Sequence, residues 1–215
     1  MDNPLLYDRQ QSLNLQIPTS ITVAGCGGIG AWVAIDLAMS GAPNLYLFDP
    51  DVMEESNRNR LPFCQSSLNR PKVEVVADYI RAIREDCNVV AVQNKLEGSF
   101  LEIQIQVSEC IGDFTDSPRS QFTIYKACKE KHIPYIRAGY DGTGMTVTSR
   151  ISGFVKSATD QGEEVANYTV APSWVVPAQI VAALAVGKIL KWHNQEVACD
   201  VGDIGIEVLM RTERP

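Results

Sequence analysis

The chain has 215 residues, 45% of them hydrophobic, which is enough for one sizeable core and argues for a single domain over 1–215. A formal net charge of −7 argues against nonspecific binding to nucleic acid or membrane surfaces, so any cationic pocket must be local. The cysteines at 26, 64, 87, 110, 128 and 199 form no Cys-x-x-Cys pair, against structural zinc, and with no basic, apolar leader at Met1–Pro4 they are expected to be reduced thiols of a cytoplasmic protein.

Residues 1–20 are polar, with a short helix expected around Gln10–Leu15. Ile21–Ala24 reads as a buried strand, Ala31–Ser40 as a helix closed by Gly41, and Asn44–Phe48 as a second strand. Asp49–Pro71 is a polar, arginine-bearing connection. Val73–Asp86 carries apolar residues at helical spacing, and Val89–Val92 is a third strand. Gly98–Val107 reads as a short helix, Cys110–Gly112 as a brief strand ending at Asp113, Phe122–Lys131 as a helix and Ile133–Ala138 as a strand. Strand and helix alternate to this point, which predicts an α/β, Rossmann-like, mostly parallel sheet with helices on both faces. The pattern then changes. Met145–Val155 reads as two short strands or a hairpin, so antiparallel strands are expected toward the C-terminal part. Gln161–Val176 reads as a long connection, Ala178–Trp192 as a helix and Val208–Met210 as the end of a last strand.

The first strand runs into Gly25-Cys26-Gly27-Gly28-Ile29-Gly30, and Asp49 stands where the second strand ends. Such a unit suits a nucleotide: glycines let the backbone approach phosphates, the helix N-terminus supplies N–H groups, and the acid accepts from ribose hydroxyls. By itself this names a ligand class and no reaction. Further along stand Asp49-Pro50-Asp51-Val52, then Ser56-Asn57-Arg58-Asn59-Arg60, then Lys72, then Asp113-Phe114-Thr115-Asp116-Ser117; near the start is Tyr7-Asp8-Arg9-Gln10. Taken singly, Arg60 and Lys72 read as solvated charges, Asp51 as a turn acid, Asp116 as an N-cap and Arg9 as decoration near a terminus.

Taken together and in order, these segments resemble the ThiF/MoeB/HesA adenylyltransferases and the ubiquitin-activating enzymes. The resemblance implies an ATP- and Mg²⁺-dependent adenylyltransferase that activates the C-terminal carboxylate of a ubiquitin-like or sulfur-carrier protein, through a flexible tail, as an acyl-adenylate. It implies that Gly25, Gly27, Gly28 and Gly30 line the nucleotide, with Asp51 beside it. It further implies that Asp49 holds the ribose, Asn57 and Arg60 contact phosphates, Lys72 bridges them, and Asp116 holds Mg²⁺. Arg9 would reach across a homodimer as an arginine finger. The chain departs from the family at Leu61, where glutamine is usual, at Ser117, where asparagine is usual, and at Asn69-Arg70, where a glycine often stands. Lys129–Ala198 holds no cysteine, whereas many family members carry a nucleophilic thiol in the crossover loop after the fifth strand. Cys26 and Cys64 lie nearest the expected nucleotide; His132 and His193 read as helix-end residues, Trp174 and Trp192 as packing. Two other readings are a nucleotide-binding partner subunit without its own thioester cysteine, and an NAD-dependent oxidoreductase, which explains only the glycine turn and Asp49. Specificity is expected in Gly139–Val176.

Overall fold

The computed structural model describes residues 5–142, 144–151, 172–191 and 197–200. Seven strands form one sheet: β1 (Ile21–Ala24), β2 (Asn44–Phe48), β3 (Asn88–Val92), β4 (Cys110–Asp113), β5 (Tyr135–Asp141), β6 (Gly144–Thr148) and β7 (Val197–Asp200). Their order is β3-β2-β1-β4-β5-β6-β7. The first five strands are parallel and the last two antiparallel, as expected. Apolar β1 is buried along its whole length because it has a strand on each side and helices on both faces. Thr22 is its polar exception, and its hydroxyl bonds Gln104 and Ser108 in the interior.

Helices α1 (Gly30–Met39), α2 (Lys72–Ile83) and α5 (Val175–Ile189) pack one face of the sheet; α3 (Gly98–Val107) and α4 (Pro118–Lys131) pack the other. No described helix is long and apolar enough to cross a membrane. The α1 helix ends in Ser40, followed by Gly41 at φ +101°, and buried Arg84 donates to the carbonyls of Ala38 and Met39 there. His132 closes α4 in the left-handed region, the helix-end role expected of it.

Strands β5 and β6 form the hairpin expected near residue 145, one strand earlier in the chain than the Met145–Val155 reading placed it. Strand β7 was not anticipated, since the sequence around Val197–Asp200 is short and mixed in polarity. The expected strand at Val208–Met210, His193 and Trp192, and most of the Gln161–Val176 connection lie outside the described residues.

Asp36 on α1 has its carboxyl raised to about 6 by burial. The fold therefore disfavours the ionised form. That cost is absent below the ordinary carboxylate value, grows as pH rises towards 6, and is complete above it. Asp36→Asn is expected to stabilise the fold near neutral pH by on the order of 1 kcal/mol, after allowance for partial solvent screening. Urea melts should show this gain at neutral pH and none near pH 3.

Candidate nucleotide-binding site

The strand order reverses between β2 and β4 on either side of β1, and at such a switch point the loops diverge and leave a crevice at the strands' C-terminal ends. A cleft of about 900 Å³ lies there. Gly25, Gly27, Gly28, Asp49, Asp51, Arg60, Lys72 and Asp116 all line it, so the structure brings together residues that stand up to 91 positions apart.

The glycine turn is held from below. Gly25 sits at φ +87°, and a Cβ there would meet the Phe114 carbonyl at 2.8 Å. A Cβ on Gly30 would fall 1.8 Å from the Gly25 carbonyl oxygen, so the start of α1 packs directly on the turn. Asp49 is buried, and its carboxylate accepts from the Cys26 N–H at 2.7 Å and from the Asp51 N–H at 2.9 Å. Burial raises its pKa, while nearby Lys72 and the two backbone donors oppose the rise. Asp49 therefore has a role that sequence reasoning missed: it ties the end of β2 to the glycine turn.

The connection after β2 is closed at its base. Val52 bridges Pro71, Met53 N–H donates to Arg70, and Lys72 N–H donates to the Asp51 carbonyl at 3.0 Å. Asn69 takes φ +63°, so it stands in for the glycine often found there; asparagine is among the few side chains that tolerate this region. Closing the loop delivers Lys72 to Asp51, and their charged groups pair at 2.9 Å with Lys72 only 12% exposed. The far part of the loop carries Arg60 back over Gly28. A Cβ on Gly28 would meet Arg60 Cδ at 2.9 Å and the Tyr140 hydroxyl at 3.1 Å. Trp32 anchors this crossing by donating to the Arg60 carbonyl, and Leu61 packs into the core, which accounts for leucine at that departure.

Asp116 is exposed at the cleft and makes no hydrogen bond or ion pair with the described residues. The adjacent Ser117 caps α4 instead, accepting from Ser120 N–H at 3.3 Å. The N-cap explanation of Asp116 is thereby removed, and its carboxylate has no partner among the described residues.

Two expected residues are placed elsewhere. Asn57 is buried and does not line the cleft; its side-chain oxygen accepts from Glu54 N–H and closes a capping box within the loop. Its position supports a structural role rather than the phosphate contact implied by resemblance. Arg9 is exposed on a 3-10 turn, Asp8–Leu13, whose Gln10 bonds the Ser40 carbonyl. That is the opposite end of α1 from the glycine turn, about 15 Å away along the helix. Arg9 is therefore remote from its own chain's cleft.

Residues that sequence reasoning did not single out complete the lining, among them Lys95, Gln121, Arg137, Tyr140 and Ser173. Trp174 is partly exposed and donates to the Gly142 carbonyl, so it holds the start of α5 against the hairpin. Cys26 is fully buried with its thiol pKa raised by burial and by Asp49, which makes it a poor nucleophile. Cys64 is exposed with its pKa lowered by the Ser66 and Ser67 hydroxyls, but it lies outside the cleft lining.

The ThiF family model matches residues 7–203. The sulfur carrier protein ThiS adenylyltransferase of Escherichia coli K12 is 30% identical over 148 residues, 67% of this chain and 58% of that protein. The tRNA threonylcarbamoyladenosine dehydratase of the same strain is 27% identical over 154 residues, 70% of this chain and 58% of that protein. This chain thus spans little more than half the length of these relatives. Among solved structures, Escherichia coli MccB with AMPCPP and MccA superposes with a TM-score of 0.75 at 19% identity, over 93% of this chain and 69% of that one. With the glycine turn, the Asp49–Asp51 segment, Arg60, Lys72 and Asp116 gathered at one crevice and the family match running through nearly the whole sequence, the chain belongs to the ThiF family.

Proposed function

We propose that this chain adenylates a carboxylate, using ATP and releasing pyrophosphate. The observation that carries the reading is the convergence of Arg60, Lys72 and Asp116, the last without a partner among the described residues, on one cleft beside the glycine turn. A carboxylate is ionised at neutral pH and needs no general base. Its oxygen attacks the α-phosphorus, an O–P bond forms, and the bond to the bridging oxygen breaks with its electrons leaving on pyrophosphate. The barrier lies in bringing two anions together and in the charge gathered on the leaving group, and positioned cations lower both. Lys72 and Arg60 supply that charge here. In the resting chain Lys72 pairs with Asp51 and Arg60 donates to the Ser56 carbonyl and Asn59, so each exchanges a protein partner for a phosphate.

Asp116 fits Mg²⁺ by its chemistry: an exposed carboxylate is a hard oxygen ligand. Among the described residues no three potential ligands cluster to make a closed metal cage. That suits an ion held by one or two carboxylates and the substrate's own phosphates, whose charge it would neutralise when bound.

The acceptor we favour is the flexible C-terminal tail of a ubiquitin-like or sulfur-carrier protein, as the name of the ThiS-adenylating relative suggests. Arg9, far from its own cleft, supports a homodimer in which it serves the partner. The exposed Cys64 stands outside the cleft lining, which favours a chain whose adenylate is consumed by another thiol or amine rather than by its own. ATP–pyrophosphate exchange tests the reading. Exchange should depend on Mg²⁺ and on an added carrier ending in Gly-Gly, and Asp116→Ala should lower it by about 10²-fold or more. A tRNA arm covers the dehydratase relative. Silence with carriers, peptides, amino acids and tRNA alike would sink the reading.

A further inference from the structure

Arg137 lies on β5, in register with Asp113 on β4, and lines the cleft. It is half-buried. Its guanidinium makes no hydrogen bond or ion pair among the described residues, and its Nε is buried without a partner. The neighbouring Asp113 does not satisfy it. One oxygen of Asp113 accepts from the Thr115 N–H and hydroxyl, and the other from the Tyr135 hydroxyl at 2.8 Å. Asp113 acts on Arg137 only as a nearby negative charge, so among the described residues the guanidinium donors are left without acceptors and are open to an anion that enters the cleft.

Which anion follows from where Arg137 stands. The glycine turn, Asp49, Asp51 and Lys72 follow β1 and β2 and occupy one half of the cleft. Arg137 is two strands away from β1, on the side of the β5–β6 hairpin. Its Nη2 reaches to 3.9 Å from the place a Cβ would take on Gly139, so the guanidinium runs along β5 toward the strand's C-terminal end, where the cleft opens. A triphosphate laid on the glycine turn leaves this half for the second substrate. A planar guanidinium offers paired donors that match a carboxylate.

We propose that Arg137 binds the acceptor's carboxylate and orients it toward the α-phosphorus across the Asp116 loop. This rests on the adenylation reading, and its test reads binding apart from turnover. Protein labelled with ¹⁵N-arginine is loaded with Mg-AMPCPP, and the Arg137 Nε–H resonance is assigned by its loss in Arg137→Lys. The peptide Ala-Ala-Gly-Gly is then titrated as the free carboxylate and as the C-terminal amide. The carboxylate should move the resonance and the amide should leave it in place. Arg137→Ala should weaken the free-acid peptide by about tenfold or more while nucleotide affinity stays within about twofold. No response to the free acid, an equal response to both peptides, or a response completed by nucleotide alone would overturn the proposal. A wild-type chain silent in pyrophosphate exchange yet responsive at Arg137 loses the adenylation reading and keeps the anion site. Exchange with an unresponsive Arg137 does the reverse.

Discussion

Lys72→Ala is expected to lower carboxylate-dependent ATP–pyrophosphate exchange by about 10²- to 10³-fold, the usual loss when a positioned charge aimed at a developing anion is removed. The loss should fall on kcat more than on the KM for ATP, because charge on the leaving pyrophosphate exceeds that of the ground state. The fold should survive. Lys72 opens α2 directly after Pro71, and its backbone N–H bond to the Asp51 carbonyl is kept by alanine. The ion pair with exposed Asp51 contributes at most about 1 kcal/mol. Lys72→Arg preserves charge but not the compact ammonium, and should recover only part of the activity. Exchange within about threefold of wild type in Lys72→Ala would show that the lysine does not meet the transferring phosphates.

Gly30→Ala is expected to cost about 3 kcal/mol or more and to abolish nucleotide binding. Its Cβ would sit 1.8 Å from the Gly25 carbonyl oxygen and 2.9 Å from the carbonyl carbon. Those are backbone atoms of a residue already at φ +87°, so relief requires moving the turn away from α1. Moving it breaks the grip of Asp49 on Cys26. Gly27→Ala is the matched control, since a Cβ there has nothing within 4 Å and projects into open space. Denaturant melts and ATP titration of both variants separate the outcomes: a Gly30→Ala chain as stable as Gly27→Ala would disprove the close approach.

What could be read ahead of the structure was whatever repeats with a period or sits at fixed spacing. The five parallel strands and the helices between them follow from short apolar runs alternating with 3.6-residue stripes. The gathering of Asp51, Arg60, Lys72 and Asp116 was legible only through joint resemblance, because each alone reads as a surface charge. Asn57 shows the limit of that route. It stands in the expected place in the sequence, but the local turn takes up its side-chain oxygen to cap its own backbone. Arg137 was illegible for a different reason. An arginine on a strand is ordinarily an outward-facing residue, and only the folded cleft lining, with no acceptor for it among the described residues, reveals where it faces. Strand β7 was missed because it is held at the edge of the sheet by pairing with β6, a long-range contact that four residues of mixed polarity do not announce.

The turn between β1 and α1 has already committed two of its backbone donors, Gly25 N–H to the Phe48 carbonyl and Cys26 N–H to Asp49. A phosphate arriving there would meet fewer free amides than a bare glycine loop would offer, so more of its attraction would come from the side-chain cations Arg60 and Lys72. Attraction of that kind is screened by dissolved ions with a reach of about 10 Å at 0.1 M salt. If the chain adenylates as proposed, its affinity for ATP should fall as ionic strength rises, while the shape of the cradle, fixed by internal bonds, should not change.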